Sequence, residues 1–219
     1  MSVFNGQVFV AEAIESILQQ TFKNFEFILI DDGSTDETWR VISTFADRDP
    51  RIVPVKQENI GLTRSLNKGV ALARAPYVAR QDADDTSHPD RFSTQLPYLA
   101  SLNFDLCCAR ATIIETGKLT PRLAYFLPKR WLMRFMNPFI HGTFMIKKSS
   151  LDRVGGYDES FIFAQDYHLI RRMMTANSRI KYLPDSLYRL KISTSAKHKD
   201  IQNRYAEKVR SMRNVKKPT

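Results

Sequence analysis

The first hundred residues alternate between two hydrophobic periods, and this alternation constrains the fold more than any other feature of the chain. Val10, Ile14, Ile17 and Leu18 repeat at a helical spacing. Residues 25–30, which follow, are almost continuously apolar, as in a strand buried on both faces of a parallel sheet. Strands that alternate with helices predict right-handed βαβ units and a doubly wound α/β sheet.

The same alternation of hydrophobic periods predicts the remaining helices and strands. A capping box formed by Ser34 and Glu37 is expected to open a helix that ends near Phe45. Further helices are expected over residues 62–73, from Pro89 onward, and over 164–175. Strands are expected over residues 52–55, 77–79, 105–115, 139–146, 180–183 and 187–192. After about Asn103 the periodicity weakens, because residues 119–137 are aromatic and basic without a clear period.

Composition indicates one globular domain with a small appendage, since 43% of the 219 residues are hydrophobic. Apolar runs fall short of the roughly 18 residues that span a bilayer, and the start of the sequence lacks signal-peptide features. Cys107 and Cys108 are adjacent in an apolar stretch, where they cannot bridge without unusual strain and offer no metal-ligand spacing. We therefore expect a cytoplasmic protein with reduced core cysteines.

The formal net charge of +10 is concentrated at the C-terminal end of the sequence. Residues 189–219 contain ten Lys and Arg against Asp200 and Glu207, which leaves the body nearly neutral. Interleaved aromatic residues, which would form a stacking platform for bases, are lacking there. This pattern predicts an appended basic helix or arm over residues 193–219 and no nucleic-acid partner.

Two acidic turns follow predicted strands, where ligands of open α/β sheets bind. They are Asp31-Asp32-Gly33-Ser34 and Asp82-Ala83-Asp84-Asp85. A tight turn with a helix cap explains Gly33 and Ser34 but only half explains the paired carboxylates of the first turn. In the second turn three carboxylates repel one another unless a cation lies among them, and hard oxygen ligands suit Mg²⁺ or Mn²⁺. The alternative for the second turn is a solvated helix cap.

These turns belong to a longer series of motifs. In order they are Phe4-Asn5-Gly6, Ala13-Ile14-Glu15-Ser16-Ile17-Leu18-Gln19-Gln20-Thr21-Phe22, Asp31-Asp32-Gly33-Ser34-Thr35-Asp36, Asn59-Ile60-Gly61-Leu62, Asp82-Ala83-Asp84-Asp85, Pro89-Asp90-Arg91, Asn137-Pro138-Phe139-Ile140-His141, Val154-Gly155-Gly156-Tyr157-Asp158 and Gln165-Asp166-Tyr167. Together they closely resemble family 2 glycosyltransferases. The resemblance implies a GT-A fold, which is a Rossmann-like α/β/α sandwich with a mostly parallel central sheet. Residues 1–103 would bind the nucleotide sugar and residues 104–192 the acceptor.

The resemblance also implies roles for the donor-binding residues. Asp32 would accept a hydrogen bond from the nucleotide base, with Ser2 and Phe4 near the same pocket. Asp82 and Asp84 would form the D-x-D pair, in which Asp84 or its neighbour Asp85 reaches a Mn²⁺ or Mg²⁺ ion that bridges the diphosphate. The sequence does not separate these two neighbours.

Three further residues are implied outside the acidic turns. Arg64 would approach the diphosphate, and an ordinary surface arginine is an equal alternative. Asp166 would be the general base that takes the proton of the acceptor hydroxyl, against the alternative of a helix-dipole acid. His141 would line the acceptor side, and a structural histidine is the alternative.

The implied function is the transfer of a sugar from a nucleotide-diphosphate sugar to a glycan or lipid-linked glycan. The reaction would be inverting, and non-processive because a Gln-x-x-Arg-Trp segment is absent from the sequence. It would serve bacterial surface polysaccharide or lipopolysaccharide synthesis at the inner face of the cytoplasmic membrane. An apolar stripe of Ile201, Tyr205, Val209 and Met212 predicts either peripheral contact of the basic tail with anionic membrane or packing on the protein itself.

The sequence departs from the family pattern at three places. Only a few residues precede Phe4, where the family has a full apolar strand, so we expect the first strand to be truncated. Gln165 stands where the family usually has Glu, and Phe4 replaces a frequent Tyr. Two other functions therefore stay open: a nucleotidyltransferase, although a glycine-rich, lysine-containing loop is not seen after the first strand, and a truncated relative without catalytic activity.

Overall fold

The computed structural model describes residues 1–192 and 199–212, without the Lys199 side chain. Its strands are β1 (Ser2–Val3), β2 (Phe27–Asp32), β3 (Ile52–Gln57), β4 (Tyr77–Ala79), β5 (Thr86–Ser87), β6 (Leu106–Ile113), β7 (Leu119–Thr120), β8 (Met145–Lys147) and β9 (Ile180–Leu190). Its α-helices are α1 (Val10–Leu18), α2 (Thr38–Ala46), α3 (Leu62–Leu72), α4 (Arg91–Ala100), α5 (Lys129–Leu132), α6 (Lys148–Arg153), α7 (Gln165–Thr175) and α8 (Lys199–Ser211). Across these described parts of the chain, none of the helices is long and apolar enough to cross a membrane.

Two sheets carry the fold. The first has the order β1-β2-β3 and is entirely parallel, as helical crossovers between successive strands require. The second has the order β4-β8-β6-β9-β5, with β7 also paired to β6. Only β6 and β9 pair in parallel in this second sheet, and its other pairs are antiparallel. The α/β class is confirmed, and the mostly parallel character belongs to the first sheet while the second is mixed.

The described residues form two hydrophobic cores. In one core, which spans both sheets, Ile14 and Ile17 of α1 pack with Leu29 of β2, as their spacing predicted, and with Cys107 of β6. In the other, the core of the second sheet, Phe144 packs with the helix α7. Cys107 and Cys108 are buried free thiols on β6, as expected. Burial raises the pKa of both thiols, so they are protonated components of the core.

Three predicted elements differ from the structure. The capping box is wrong: α2 begins at Thr38, whose amide donates to Asp36 Oδ1 at 3.0 Å, while Ser34 Oγ accepts from the amide of Asn5 at 2.9 Å. Ser34 is thus occupied in tying the two N-terminal turns together. The strand expected over residues 139–146 is reduced to β8 by a 3₁₀ turn, and the two strands expected over 180–192 form the single strand β9.

An apolar cavity of about 430 Å³ is lined by residues of β2, β4 and α3. Ile28, Ile30, Leu66, Val78 and Met1 are among the residues that line it. The Met1 amine is buried beside this cavity and donates to the carbonyl of Ile28 at 2.8 Å. Burial, with the charge of Arg80 as a second cause, lowers the pKa of this amine to about 5. The first strand is short, as expected, with two residues beside the six of β2.

The basic helix α8 packs its apolar stripe on the protein itself. Val209 is fully buried, and Tyr205 and Met212 pack against the core of the second sheet. Arg171 of α7 donates to the carbonyls of Val209, Arg210 and Met212 and so caps the end of the helix. These three side chains pack on the protein, as the second of the two predicted uses requires, whereas Ile201 of the same stripe is 39% exposed. The rest of the predicted tail, residues 193–198 and 213–219, lies outside the described residues.

Candidate functional site

The first acidic turn is held by hydrogen bonds from the protein itself. The Asp32 carboxylate lies at the end of β2 and is only 3% exposed. Its Oδ1 accepts from Gln57 Nε2 at 2.7 Å and from the amide of Ile60 at 3.0 Å, and its Oδ2 accepts from the amide of Gly61 at 3.0 Å. Asp32 therefore fastens the loop that leads into α3, and Oδ2 keeps capacity for one further donor.

Its neighbours complete the same turn. Asp31 Oδ1 accepts from the amide of Ser34 at 2.9 Å. Gly33 adopts a φ of +80°, and a Cβ there would approach the backbone nitrogen of Asn59 to 2.5 Å. The glycine is thus required both by its backbone conformation and by the close approach of the loop. Together these contacts make the turn a rigid support for the segment before α3.

The second acidic turn is differently satisfied. Asp82 and Asp84 are half-buried, whereas Asp85 is 2% exposed and accepts a hydrogen bond from the amide of Lys191 at 2.7 Å. Desolvation, followed by the charge of Asp82, raises the pKa of Asp84, and the same two causes raise the pKa of Asp85 to about 7. The two neighbours therefore differ in exposure: Asp84 is half-buried, and Asp85 is enclosed by protein.

Arg80 compensates part of this negative charge. Its guanidinium is buried and pairs with the carboxylate of Asp82. The backbone amide of Asp82 also donates to the hydroxyl of Tyr188 at 3.0 Å. Sequence reasoning assigned no role to Arg80 or Tyr188. The position of Arg80 directly after β4 was a signal for the first, but the approach of β9 to this turn had no sequence signal.

Arg91 supports the second acidic turn through hydrogen bonds from the protein interior. Its side chain is completely buried in the first turn of α4 and donates to the carbonyl of Arg80 at 2.7 Å and to Ser87 Oγ at 2.9 Å. Because a buried guanidinium needs acceptors on several sides, it holds the strand end and the following turn together. Arg91 stood in the motif Pro89-Asp90-Arg91, and its supporting role was not recognised from the sequence.

Asp166 lies in the first turn of α7 and is half-buried. Its Oδ2 accepts a hydrogen bond from Asn137 Nδ2 at 2.7 Å. Desolvation by burial raises the pKa of Asp166 to about 6, and the negative charge of Asp82 acts in the same direction. A carboxylate with this pKa is ionised at neutral pH and is a stronger base than an exposed aspartate. Asn137, which the sequence reasoning quoted only within a motif, orients it.

His141 is held by Tyr157, whose hydroxyl oxygen lies 2.8 Å from the histidine Nε2. Desolvation, with the charge of Arg80 as a second cause, lowers the pKa of His141 to about 3. The imidazole is therefore neutral across the physiological range. It can line a substrate site and exchange a hydrogen bond, but it does not act as a cationic acid.

One cleft of about 1160 Å³ brings four of the predicted residues together: Arg64, Asp82, His141 and Asp166. Arg64 is 60% exposed and lies 3.2 Å from the carboxylate of Glu159. A part of the wall that the sequence did not predict comes from α8, through Gln202, Asn203, Ala206 and Arg210. Among the described residues, α8 is thus a component of the cleft.

The other predicted residues do not line this cleft. Ser2 pairs with β2 and lines the apolar cavity, and the Phe4 side chain is half-exposed. Asp32 lies in its hydrogen-bonded turn. Asp84 and Asp85 adjoin Asp82 in sequence without lining the cleft.

A divalent cation fits the second turn only as a partner of a bound substrate. Within residues 1–192 and 199–212, no group of three or more His, Cys, Asp and Glu side chains is arranged to hold a metal ion. The carboxylates of Asp82 and Asp84 are close enough for one to raise the pKa of the other, a repulsion that a cation would relieve. Mg²⁺ and Mn²⁺ are commonly held by one or two carboxylates together with substrate phosphates.

Comparison with known proteins places these residues in a family context. Residues 1–176 match the family model described as Glycosyl transferase family 2. The putative glycosyltransferase EpsE of Bacillus subtilis is 35% identical over 161 residues, covering 72% of this chain and 58% of the relative. The amylovoran biosynthesis glycosyltransferase AmsE of Erwinia amylovora is 28% identical over 194 residues, covering 86% and 72%. The chain thus spans a little over half of EpsE.

Solved structures share the fold at low sequence identity. S. aureus TarS 1-349 in complex with UDP-GlcNAc superposes with a TM-score of 0.75 and 19% identity over 89% of this chain and 58% of that one. The mannosyltransferase PcManGT of Pyrobaculum calidifontis, in complex with GDP-Man and Mn²⁺, has a TM-score of 0.70 and 19% identity, covering 90% and 57%. Both similarities show the GT-A fold.

Proposed function

This chain belongs to glycosyl transferase family 2, and from that premise we propose that it transfers a sugar from a nucleoside diphosphate sugar to an acceptor hydroxyl. One observation carries the proposal: Asp82, from the acidic turn after β4, and Asp166, from the first turn of α7, line the same cleft. Glycosyl transfer needs groups for the departing diphosphate and a base for the acceptor, and the cleft provides candidates for both.

On the donor side, Asp84 with Asp82 would hold Mn²⁺ or Mg²⁺ against the diphosphate. The ion would supply positive charge to the leaving group when it is bound. The accessibility of Asp84 and the enclosure of Asp85 favour Asp84 as the direct ligand. The printed title of the PcManGT complex, which names GDP-Man and Mn²⁺, supports this pairing of nucleotide sugar and metal.

The remaining donor contacts come from the loop that Asp32 organises. Asp32 Oδ2 has room for one donor from the base, and Ser2 and Phe4 lie on the neighbouring strand β1 and its turn. Arg64 lies in the first turn of α3 beside the cleft. It would approach the diphosphate by breaking its ion pair with Glu159. We therefore propose residues 1–103 as the half that binds the nucleotide sugar.

On the acceptor side, Asp166 takes the proton of the acceptor hydroxyl. The oxygen attacks the anomeric carbon as the bond from that carbon to the diphosphate breaks, so the nucleoside diphosphate leaves with the bonding electrons. Attack from the face opposite the leaving group inverts the anomeric configuration. Asn137 orients the base through its 2.7 Å hydrogen bond, and neutral His141 lines the acceptor side within residues 104–192.

The names of the relatives support a proposal for the pathway. EpsE is named as a putative glycosyltransferase and AmsE as an amylovoran biosynthesis enzyme, which supports a role in bacterial surface polysaccharide synthesis. We propose a glycan or lipid-linked glycan as acceptor, used in one transfer per encounter. Such an acceptor is met at the inner face of the cytoplasmic membrane.

Replacing the base tests the proposal most directly. Asp166→Asn keeps the shape of the side chain but cannot take the proton, so we expect transfer to fall by roughly 10²- to 10⁴-fold while donor affinity is retained. The assay incubates the protein with UDP and GDP sugars and Mn²⁺, separates released nucleoside diphosphate from pyrophosphate, and measures donor affinity by calorimetry. Asp185→Asn, an exposed aspartate before the end of β9, is the matched control.

The products also discriminate the other two functions. Release of nucleoside diphosphate supports the transferase, and release of pyrophosphate from a nucleoside triphosphate and a sugar phosphate indicates a nucleotidyltransferase. If neither product is released, the result indicates a relative that binds partners without catalysis. Turnover of Asp166→Asn equal to that of the parent would remove this residue from the base position.

A further inference from the structure

Residues 122–136 form an exposed apolar surface beside the cleft. Its apolar members, here called the aromatic patch, are Leu123, Phe126, Leu127, Trp131, Phe135 and Met136. Leu123 is 81% exposed and Phe126 is 75% exposed. Single exposed hydrophobic residues are ordinary, but six lie within this short segment, and the rings of Trp131 and Phe135 are in tilted contact with centroids 5.1 Å apart. Such a cluster indicates a surface that is covered in use.

The segment presents this patch because its other face is anchored. Leu132 and Met133 are buried in the protein, and the Tyr167 hydroxyl donates to the Met133 carbonyl at 2.7 Å. Lys129 donates to the carbonyls of Ala124 at 3.1 Å and Leu127 at 3.0 Å, which fixes the turn before α5. The outward direction of the patch is therefore set by packing and hydrogen bonds on the inner side.

The charge around the patch has one sign. Arg122, Arg130 and Arg134 are exposed within the segment. The sequence contains no Asp or Glu between Glu115 and Asp152. Apolar aromatic side chains surrounded by arginines, without any carboxylate in the segment, match an anionic lipid surface, where the rings enter the headgroup region and the cations meet phosphate.

We propose that the aromatic patch docks the protein on a bilayer that contains anionic lipid. A second copy of the chain is disfavoured as the occupant, because a two-fold contact would place the same three arginines against each other without an acidic partner in the segment. Met136 belongs both to the patch and to the cleft lining, so docking sets the mouth of the cleft beside the membrane. This surface differs from α8, where Tyr205, Val209 and Met212 of the apolar stripe pack against the core of the second sheet.

Vesicle co-sedimentation of the full chain tests the proposal without reference to activity. Vesicles of phosphatidylcholine, with and without phosphatidylglycerol, are compared for the parent and for two double variants. Arg130→Gln with Arg134→Gln is expected to lower the partition coefficient roughly 30-fold, which is about 1 kcal/mol for each arginine. Trp131→Ser with Phe135→Ser is expected to lower it roughly tenfold or more. Since these side chains are exposed, both variants should melt at the parent temperature.

Matched controls remove equivalent residues elsewhere. Arg48→Gln and Leu102→Ser alter an exposed cation and an exposed apolar side chain away from the patch, and Arg204→Gln alters the exposed face of α8. Binding that requires phosphatidylglycerol, is lost in the patch variants and persists in all three controls supports the proposal. Equal sedimentation of parent and patch variants overturns it. Sedimentation velocity that shows a patch-dependent dimer and no vesicle binding overturns it in favour of a second copy.

Discussion

The two acidic turns occupy equivalent places, each at the carboxyl end of a strand, and yet their carboxylates are satisfied in opposite ways. Asp32 accepts three hydrogen bonds from the protein itself, and Asp31 accepts one from its own turn. Asp84 and Asp85 carry raised pKa values because burial and the charge of Asp82 oppose their ionisation. The first turn is held mainly by hydrogen bonds from the protein, although Asp31 Oδ2 is buried without a hydrogen-bond partner, whereas a cation would relieve the repulsion in the second turn.

The largest expected effect comes from the second turn. Asp84→Ala removes a carboxylate that we propose as a metal ligand, so we expect a loss of transfer of roughly 100-fold or more, as a metal contribution of several kcal/mol implies. The melting temperature should not fall. Calorimetric titration of the donor with and without Mn²⁺ measures the effect, with the exposed Asp152→Ala as control. If Mn²⁺ still raises donor affinity in the variant, Asp84 is not the metal ligand and the contrast between the two turns fails.

The next effect belongs to the first turn and concerns stability. Asp32→Ala leaves Gln57, Ile60 and Gly61 with unpaired donors, which is expected to cost about 3 kcal/mol. For a domain of this size that lowers the melting temperature by roughly 6–12 °C. Thermal unfolding measures the shift, and the exposed Asp47→Ala is the control. An unchanged melting temperature would show that the hydrogen bonds of Asp32 do not stabilise the fold, and the contrast between the two turns would fail.

The smallest effect is a pH dependence that only the second turn should show. The pKa of folded Asp85 is about 7, raised from an ordinary value near 3.8. Its contribution to stability is therefore present below pH ~4 and is lost as pH rises through ~7. Asp85→Asn keeps the acceptor for Lys191 but not the charge, so at pH 8 without divalent ions it should raise the melting temperature by roughly 2–4 °C, about 1 kcal/mol.

The control for this effect compares the same two proteins at a lower pH. Below pH ~4 Asp85 is protonated in the folded parent and largely protonated in the unfolded chain, so the difference in melting temperature between the variant and the parent should be small there. Adding Mn²⁺ with donor at pH 8 should stabilise the parent and reduce the advantage of the variant. An advantage of the same size at both pH values would contradict the burial of a repelled charge at this position.

The sequence predicted well whatever depends on neighbours along the chain. The buried strand β2, the helix α3 and the strand β4 were located by period, and both acidic turns by their position after strands. The helix cap of α2 was missed because Ser34 is drawn away by Asn5, a partner 29 residues distant. Local pattern alone does not weigh such competing partners.

The parts of the site that were missed are contacts between distant segments. The pairing of Asn137 with Asp166 and that of Tyr188 with Asp82 join residues 29 and 106 positions apart. The distinction between Asp84 and Asp85 also depends on Lys191, which encloses one of them from the far end of the chain. The use of the α8 stripe was undecided for the same reason, since a core-facing helix and a membrane-facing helix have the same period.

The second acidic turn can be completed only after strand β9, which is synthesised late, has formed. Thr86 and Ser87 pair with Arg189 and Tyr188, and the amide of Lys191 closes over Asp85. On a ribosome the three parallel strands of the first sheet can meet soon after they emerge, because their connections are local. The acidic turn, although it is made early, must wait about a hundred residues for its last contacts. The second acidic turn of the nascent chain therefore remains incomplete until the whole of β9 has left the ribosomal tunnel.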